Sequence, residues 1–374
     1  MTAARRVLIL SASMGSGHDG VAGELARRLA ADGADVEIID VLHLVPFRLG
    51  FALRRCYRWM IKRAPWLYEV IYQVFFMAKR TPPTSPLTSL MAARLSRVIA
   101  RRPPGEVVST FHLAAQVAGR LRRRGQLHAP STVLITEFAV HRFWLHPGND
   151  RFLSMNPTAR ITAAPAFTCA PVVAPGFRAR TEDRAGMAAR LGAEPGARLV
   201  LVSSGSWGVG RLAETVRVLA RSGRYTPVVL CGRDTRLRRA LAGTGAGMVL
   251  GWRDDMPDLM AAAYALVDNG AGLTCAEAFA MDLPVIFYRP IPGHGRDGAL
   301  AMARAGVAVY ARDGAALLDA LDRLRDEESR HALRTRAAAL FTAAPAEAAL
   351  VTGPYGQPRR PAPEATARAE SSPE

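Results

Sequence analysis

The sequence predicts an α/β protein of two doubly wound, parallel-sheet domains facing each other across a cleft. Three observations carry this. A buried-strand run near the start opens into a glycine-rich turn and a helix pattern. The same strand–turn–helix alternation restarts near residue 197, and a stretch rich in Pro, Ala and Thr separates the two series. The chain of 374 residues is long enough for two cores of ordinary size.

The elements follow in order. Residues 7–12 read as the first strand, the turn 13–18 follows, and a helix over 20–32 leads to a strand over 36–39 that ends in Asp40. A helix over 87–100, a strand over 107–110, a helix over 114–124 and a strand over 132–135 continue the alternation. Pro165, Pro171 and Pro175 mark the linker. The second series holds strands over 197–203, 227–231, 247–250, 265–267 and 285–288, with helices over 212–221, 257–263 and 275–280 between them. A single helix over 315–341 is expected to close the fold, and the Pro-, Ala-, Glu- and Ser-rich end from Pro354 reads as disordered. The expected boundaries are 1–165 for the first domain, 166–180 for the linker, 181–345 for the second domain and 346–374 for the tail.

Composition narrows the function. About half the residues are apolar and Gly and Pro are spread along the chain, which excludes wholesale disorder. The net charge of +17 is carried by arginine, since Lys62 and Lys79 are the only lysines; with the abundant alanine, this reflects a biased genome as much as selection for charge. A basic excess favours polyanionic partners: nucleic acid, anionic lipid or a phosphorylated substrate. The four cysteines, Cys56, Cys169, Cys231 and Cys275, show no paired or metal-ligand spacing and read as reduced thiols of a cytosolic protein. The apolar run behind Arg5-Arg6 is too short for a secretory signal, and no stretch approaches the roughly 18–20 apolar residues of a membrane span.

Two glycine turns carry the chemistry. Gly15-Ser16-Gly17-His18-Asp19-Gly20 matches the dinucleotide fingerprint on paper, with Asp40 at the end of the next strand. Ser13 and Met14 intervene between strand and first glycine, which weakens that match. A tight turn without a ligand also fits, as does an anion facing the helix amides with His18 as a base at the mouth. Asn269-Gly270-Ala271-Gly272-Leu273-Thr274 opens a second helix, where small residues let a pyrophosphate approach the amides. Thr274 and Glu277 have the spacing of a capping box, which fits the same residues equally well.

Residues 47–80 differ from the rest. Phe47, Phe51, Tyr57, Trp59, Trp66, Tyr68, Tyr72, Phe75 and Phe76 alternate with Arg48, Arg54, Arg55, Arg58, Lys62, Arg63, Lys79 and Arg80, on short helices broken at Pro65. Rings and cations together suit a lipid headgroup boundary. A core helix pair with a basic outer face is the plain alternative, and nucleic acid is disfavoured because no nucleic-acid module surrounds the segment.

Taken together, several motifs resemble the monogalactosyldiacylglycerol synthase family of GT-B glycosyltransferases, related to the peptidoglycan lipid-linked N-acetylglucosaminyltransferase. They are 204–210 (Ser-Gly-Ser-Trp-Gly-Val-Gly), Gly251-Trp252 with Met256 and Leu259-Met260, Gly272-Leu273-Thr274 with Glu277-Ala278, and Pro292-Gly293. The first half agrees through 15–18, 109–112, Thr136-Glu137 and Trp144, and the linker through 172–177. The resemblance implies an inverting hexosyltransferase using a UDP-sugar, with a diacylglycerol-like acceptor at an anionic membrane surface, peripheral to the inner face of the cell membrane. It implies catalytic His18 or Glu137, the latter where the family usually has Asp. Donor contacts are implied at Gly205, Ser206, Gly208, Trp252, Arg253, Gly272, Leu273, Thr274, Glu277, His294 and Asp297. Acceptor or membrane contacts are implied at Gly15, Gly17, Trp59, Trp66, Tyr72 and Phe75. No metal or cofactor is implied, and Asp254-Asp255 is expected on a solvated turn. The family usually carries Gln and Glu after Pro292-Gly293, whereas this chain has His294, Gly295, Arg296 and Asp297, which leaves the sugar open. A different lipid-linked acceptor, a catalytically silent membrane-binding relative and a nucleotide-cofactor oxidoreductase are the alternatives.

Overall fold

The computed structural model describes residues 5–77, 85–178, 184–245 and 247–350. Lys79 and Arg80, and the tail from Pro354, lie outside the described residues. The first unit runs β1 (Arg6–Ser11), α1 (Ser16–Ala31), β2 (Asp35–Asp40), α2 (Leu49–Arg63), α3 (Pro65–Ile71), α4 (Pro86–Arg101), β3 (Glu106–Ser109), α5 (His112–Arg123), β4 (Ser131–Ile135), β5 (Arg151–Ser154) and β6 (Ala166–Thr168). The second runs α6 (Arg184–Arg190), β7 (Leu199–Ser203), α7 (Leu212–Arg221), β8 (Thr226–Leu230), α8 (Thr235–Ala242), β9 (Met248–Leu250), α9 (Met256–Ala262), β10 (Ala265–Asp268), α10 (Leu273–Ala280), β11 (Val285–Tyr288), α11 (His294–Arg304), β12 (Val309–Ala311), α12 (Gly314–Arg323) and α13 (Glu327–Ala338).

Each unit is one parallel six-stranded sheet, in the orders β2-β1-β3-β4-β5-β6 and β12-β11-β10-β7-β8-β9. Both faces of each sheet are covered, so central strands read as unbroken apolar runs. In β1, Val7 and Ile9 pack with Val21, Leu25 and Leu29 of α1, while Leu8 and Leu10 pack with Leu95 of α4 and Leu121 of α5. The second sheet repeats the arrangement, Leu199 and Leu201 facing one cluster and Val200 and Val202 the other.

Several details differ from the sequence expectation, among them β5, β12 and α6, where no element was assigned. The helix expected over 315–341 is two helices, because Asp326 accepts a hydrogen bond from the Ser329 amide at 2.8 Å and starts α13 afresh. Residues 294–304, to which the sequence pattern assigned no element, form a helix. Ala166–Thr168, inside the expected linker, pairs with β5 as an exposed edge strand whose three residues show no alternation to betray it. Residues 346–350, inside the expected tail, return to the first domain: Ala346 and Leu350 are buried with Val7, Ile9 and Leu25. The Arg151 guanidinium donates to the Ala349 carbonyl at 2.6 Å, and the Ala170 amide to Ala344 at 2.9 Å. The chain thus crosses between the domains twice.

The aromatic, basic segment folds as α2, then α3 with Pro65 in its first turn, then a π-helical turn over Tyr72–Met77. It is seated by Gly50, where a Cβ would meet the Leu42 carbonyl oxygen at 2.0 Å. Gly50→Ala is therefore expected to cost about 1–3 kcal/mol. Denaturant unfolding would show this as a lowered midpoint, and an unchanged midpoint would contradict the seating.

Candidate active site

In each sheet the strand order reverses at one place, between β1 and β3 in the first and between β7 and β10 in the second. Loops leaving the carboxyl ends of strands at such a reversal diverge and leave a crevice. Here the two crevices face each other and merge into a cavity of about 490 Å³, lined by residues of 14–21, 136–138, 203–209, 230–232, 251–256, 268–277 and 291–298 together with Tyr57, Ile61 and Phe177.

Two helices begin at this cavity. α1 starts after Gly15, whose φ of 141° favours glycine, and α10 starts after Gly272; neither has a side-chain cap among the described residues. Their free amide ends carry partial positive charge. The helices approach closely because Gly17 and Gly20 make room for Leu273: a Cβ on Gly17 would lie 3.6 Å from the Leu273 Cβ, and one on Gly20 would lie 2.7 Å from its Cδ2. The Ser16 amide also donates to Ser206 Oγ across the cleft at 3.3 Å. The apparent dinucleotide fingerprint is thus a helix-to-helix contact between domains.

Asp268, which sequence reasoning passed over, shapes the second turn. Its carboxylate accepts the amides of Gly270 at 2.7 Å and Ala271 at 2.8 Å, and Ala271 takes a left-handed φ of 52°. Burial raises the Asp268 carboxyl above its ordinary range, although these two amides oppose the shift. Asn269 Nδ2 donates to the Val209 carbonyl at 2.8 Å, tying this turn to the one after β7. No capping box forms: Gly272 occupies the cap and Thr274 lies in the first turn. Glu277 is left on the cavity wall with no hydrogen-bond partner among the described residues, and burial pushes its carboxyl up to about 7.

The remaining donor-side positions divide. Gly205 has a φ of 62° and open space where a Cβ would stand, and with Ser206 it lines the cavity. Gly208 does not line it; its φ is 63°, and a Cβ there would meet Asp234 and Leu237 at 2.9 Å. Trp252 lines the cavity, is 41% exposed, and carries the Arg233 guanidinium 4.1 Å above its ring. Arg253 Nε donates to Asp255 at 2.7 Å, and Trp252 Nε1 donates to Asp254 at 3.0 Å. Asp255 is part-exposed in a surface ion pair with Arg253, and Asp254 is exposed at the cavity wall, as expected for a solvated turn.

On the facing side, His18 Nδ1 lies 3.2 Å from the Thr110 carbonyl oxygen and 2.9 Å from Thr136 Oγ1. A carbonyl only accepts, so Nδ1 carries the hydrogen and Nε2 keeps a lone pair, with no partner among the described residues. Burial draws this imidazole below its ordinary value against the pull of Glu137. Glu137, also on the wall, pairs with His141 Nε2 at 3.1 Å and accepts from Trp144 Nε1 at 3.3 Å. Burial would raise the Glu137 carboxyl, but the His141 charge and hydrogen bond outweigh it and hold it low. Thr110, Thr136 and His141 support the two groups; only the first two were visible in sequence, as motif neighbours without a role.

His294 reaches the cavity wall, but Asp297 does not: it accepts from the Tyr72 hydroxyl at 3.0 Å and from Arg296. Tyr72 is buried at 1%, which corrects its expected place on a membrane face, whereas Trp59 at 56%, Trp66 at 69% and Phe75 at 44% are exposed.

Comparison with known proteins agrees with this picture. The model of the monogalactosyldiacylglycerol (MGDG) synthase family matches residues 18–163. A processive diacylglycerol beta-glucosyltransferase of Bacillus cereus (strain AH187) is 24% identical over 348 residues, 87% of each chain. Among solved structures, MurG of Acinetobacter baumannii superposes with a TM-score of 0.59 at 14% identity, over 91% of this chain and 96% of its own. Phytolacca americana UGT2, complexed with UDP-2fluoro-glucose and pterostilbene, gives 0.54 at 10% identity, over 91% and 94%. The fold is that of a two-domain GT-B glycosyltransferase.

The unpartnered Glu277 has a stability consequence. A carboxyl raised in the folded state penalises folding once the pH exceeds its unfolded value, fully so above about 7. Glu277→Gln should therefore gain roughly 1–3 kcal/mol over the natural chain at pH 8 and almost nothing at pH 4.5. Denaturant unfolding at both pH values measures this, and an equal effect at both would contradict the unpaired carboxyl.

Proposed function

We propose that this chain is an inverting glycosyltransferase that moves a hexose from a UDP-sugar to diacylglycerol or a similar lipid, at the cytoplasmic face of a membrane. The observation that carries the reading is the single cavity between the two reversal points, with a helix amide end and an unpaired carboxyl on one side and an imidazole lone pair on the other. The resemblance to the MGDG synthase family and to the Bacillus cereus glucosyltransferase supports the lipid acceptor. The UDP-2fluoro-glucose complex of the Phytolacca americana neighbour supports the donor class.

In this reading the first domain serves the acceptor and the second the donor. The amides entering α10 take the diphosphate, and Glu277 accepts from the ribose hydroxyls, which recovers the energy of holding a lone carboxylate there. Trp252 and Arg253 border the uracil. The acceptor hydroxyl oxygen attacks the anomeric carbon as the bond to the β-phosphate oxygen breaks. His18 Nε2 takes the hydroxyl proton, and the charge developing on the leaving diphosphate grows toward the helix end. Glu137, held ionised by His141, stabilises the imidazolium that forms. The exposed Trp59, Trp66 and Phe75, with Arg54, Arg55 and Arg58 beside them in sequence, form the lipid-facing surface.

Product analysis after incubation with UDP-glucose or UDP-galactose and diacylglycerol vesicles tests the reading directly. A monohexosyl diacylglycerol is expected; UDP binding without any transfer would indicate a silent relative and overturn it. His18→Ala should lower kcat about 10²–10⁴-fold with the Kd for UDP nearly unchanged. Because the His18 pKa of the free protein is drawn below its ordinary value, the acid limb of kcat/KM should lie below about pH 6.5; a limb above pH 7 would argue for another base. Trp59→Ala with Trp66→Ala should weaken sedimentation with anionic vesicles roughly ten-fold or more and leave UDP affinity intact. Unchanged sedimentation would place the lipid surface elsewhere.

A further inference from the structure

The turn at Pro292-Gly293 and the first turn of α11, where this chain departs from the family's usual residues, are held from their own domain by Asn269 and Ile291 and also from the opposite domain. Gly293 caps α11 with a φ of 70°, and no side chain of the preceding loop caps that helix. The missing acceptor comes from α3: Glu69 Oε2 takes the Gly293 amide at 2.9 Å, and Glu69 Oε1 takes Arg296 at 2.8 Å. A carboxylate at a helix start is stabilised by the helix dipole. Two rings of the same segment close over the glycine. A Cβ at Gly293 would meet Tyr72 Cγ at 2.8 Å and Tyr68 Cε1 at 2.9 Å, so glycine is required both by its backbone angle and by these rings. The hydroxyls then reach past it: Tyr68 lies 2.7 Å from His294 Nδ1, and Tyr72 donates to Asp297 at 3.0 Å.

We infer that Tyr68, Glu69 and Tyr72 are positioning residues for sugar transfer, reaching from the first domain to fix the Gly293 turn and the start of α11, which border the transferred sugar. The inference rests on the UDP-sugar reading above. Burial raises both phenols far above their ordinary value, so each remains a donor. Burial likewise lowers His294 below its ordinary value. The contact between the Tyr68 hydroxyl and Nδ1 fixes the His294 ring, which leaves Nε2 as its free nitrogen at the cavity wall. These contacts exist only while the domains meet. Tyr68 and Tyr72 share a buried cluster with Met60, Ile61, Trp207 and Val209, which joins α2 and α3 to the donor-side turn after β7. A salt bridge from Lys62 to Asp234 adds a second fastening. The same two helices carry Trp59 and Trp66 on their outer side, so the lipid-facing surface and the sugar loop share one element.

The test compares the full-length chain with Tyr68→Phe, Tyr72→Phe and Glu69→Gln, measuring UDP affinity by calorimetry and kcat and KM for UDP-glucose and UDP-galactose. The phenylalanine variants keep the rings and remove one oxygen each. Each substitution should lower kcat/KM for the sugar nucleotide roughly ten-fold or more, because a hydrogen bond to a charged or buried partner is lost. UDP should bind all three within about two-fold of the natural chain, since the diphosphate and uracil are held elsewhere. Unchanged kinetics in all three would overturn the inference, as would a loss of UDP affinity matching the loss of turnover. A natural chain that binds no UDP would sink the functional reading, and this inference with it. One that binds UDP and transfers sugar while the variants match it would sink this inference alone.

Discussion

The structure depends on two helices beginning at the same place from opposite domains. α1 and α10 meet where Leu273 fits over Gly17 and Gly20, and this contact sets how closely the two sheets face each other. A Cβ at Gly20 would run into the end of the Leu273 side chain at 2.7 Å, while one at Gly17 would rest in ordinary contact with it at 3.6 Å. With the two helix starts together, the cavity has a fixed excess of partial positive charge before any side chain is counted. The cysteine thiol of Cys275 and the carboxyl of Asp268, buried just behind, are spent on the turn itself and not on a ligand.

Against that background two of the carboxyls on the wall, Glu137 and Glu277, have opposite environments. Glu137 has a histidine and an indole to satisfy it, which holds it ionised. Glu277 has neither, and remains in an environment that favours its neutral form until a ligand supplies donors. Pairs of acids driven apart in this way mark sites where the protein uses charge for a task. His18 completes the set: one nitrogen is fixed by the Thr110 carbonyl and the other is left open. Around it, His112 and His141 each bury an Nδ1 without a partner among the described residues.

Much of this was legible in the sequence, for identifiable reasons. The strands of both sheets are buried on both faces, so their apolar runs announce themselves; residues 285–288 and the helix over 212–221 match the structure to the residue. The glycine turns were visible, though the reason for Gly17 and Gly20 was not, because Leu273 is about 250 residues away and no local pattern encodes a contact between domains. The same limit hid Asp268, a carboxylate recognisable only once its turn is folded, and His141, which matters through Glu137 alone. The burial of Tyr72 was not legible because an amphipathic aromatic helix reads the same whether its apolar face meets lipid or another domain. The hydrogen bond from Tyr72 to Asp297 was hidden for the same reason, since it joins two domains about 225 residues apart in sequence.

The central claim is that the diphosphate lies against the amides entering α10, opposite His18. A crystal structure of the chain soaked with UDP tests it most directly. The account predicts the two phosphates at Gly272, Leu273 and Thr274, the ribose hydroxyls on Glu277, and His18 Nε2 still open to the cavity. UDP density at the amide end of α1 alone, with Glu277 unoccupied, would contradict it.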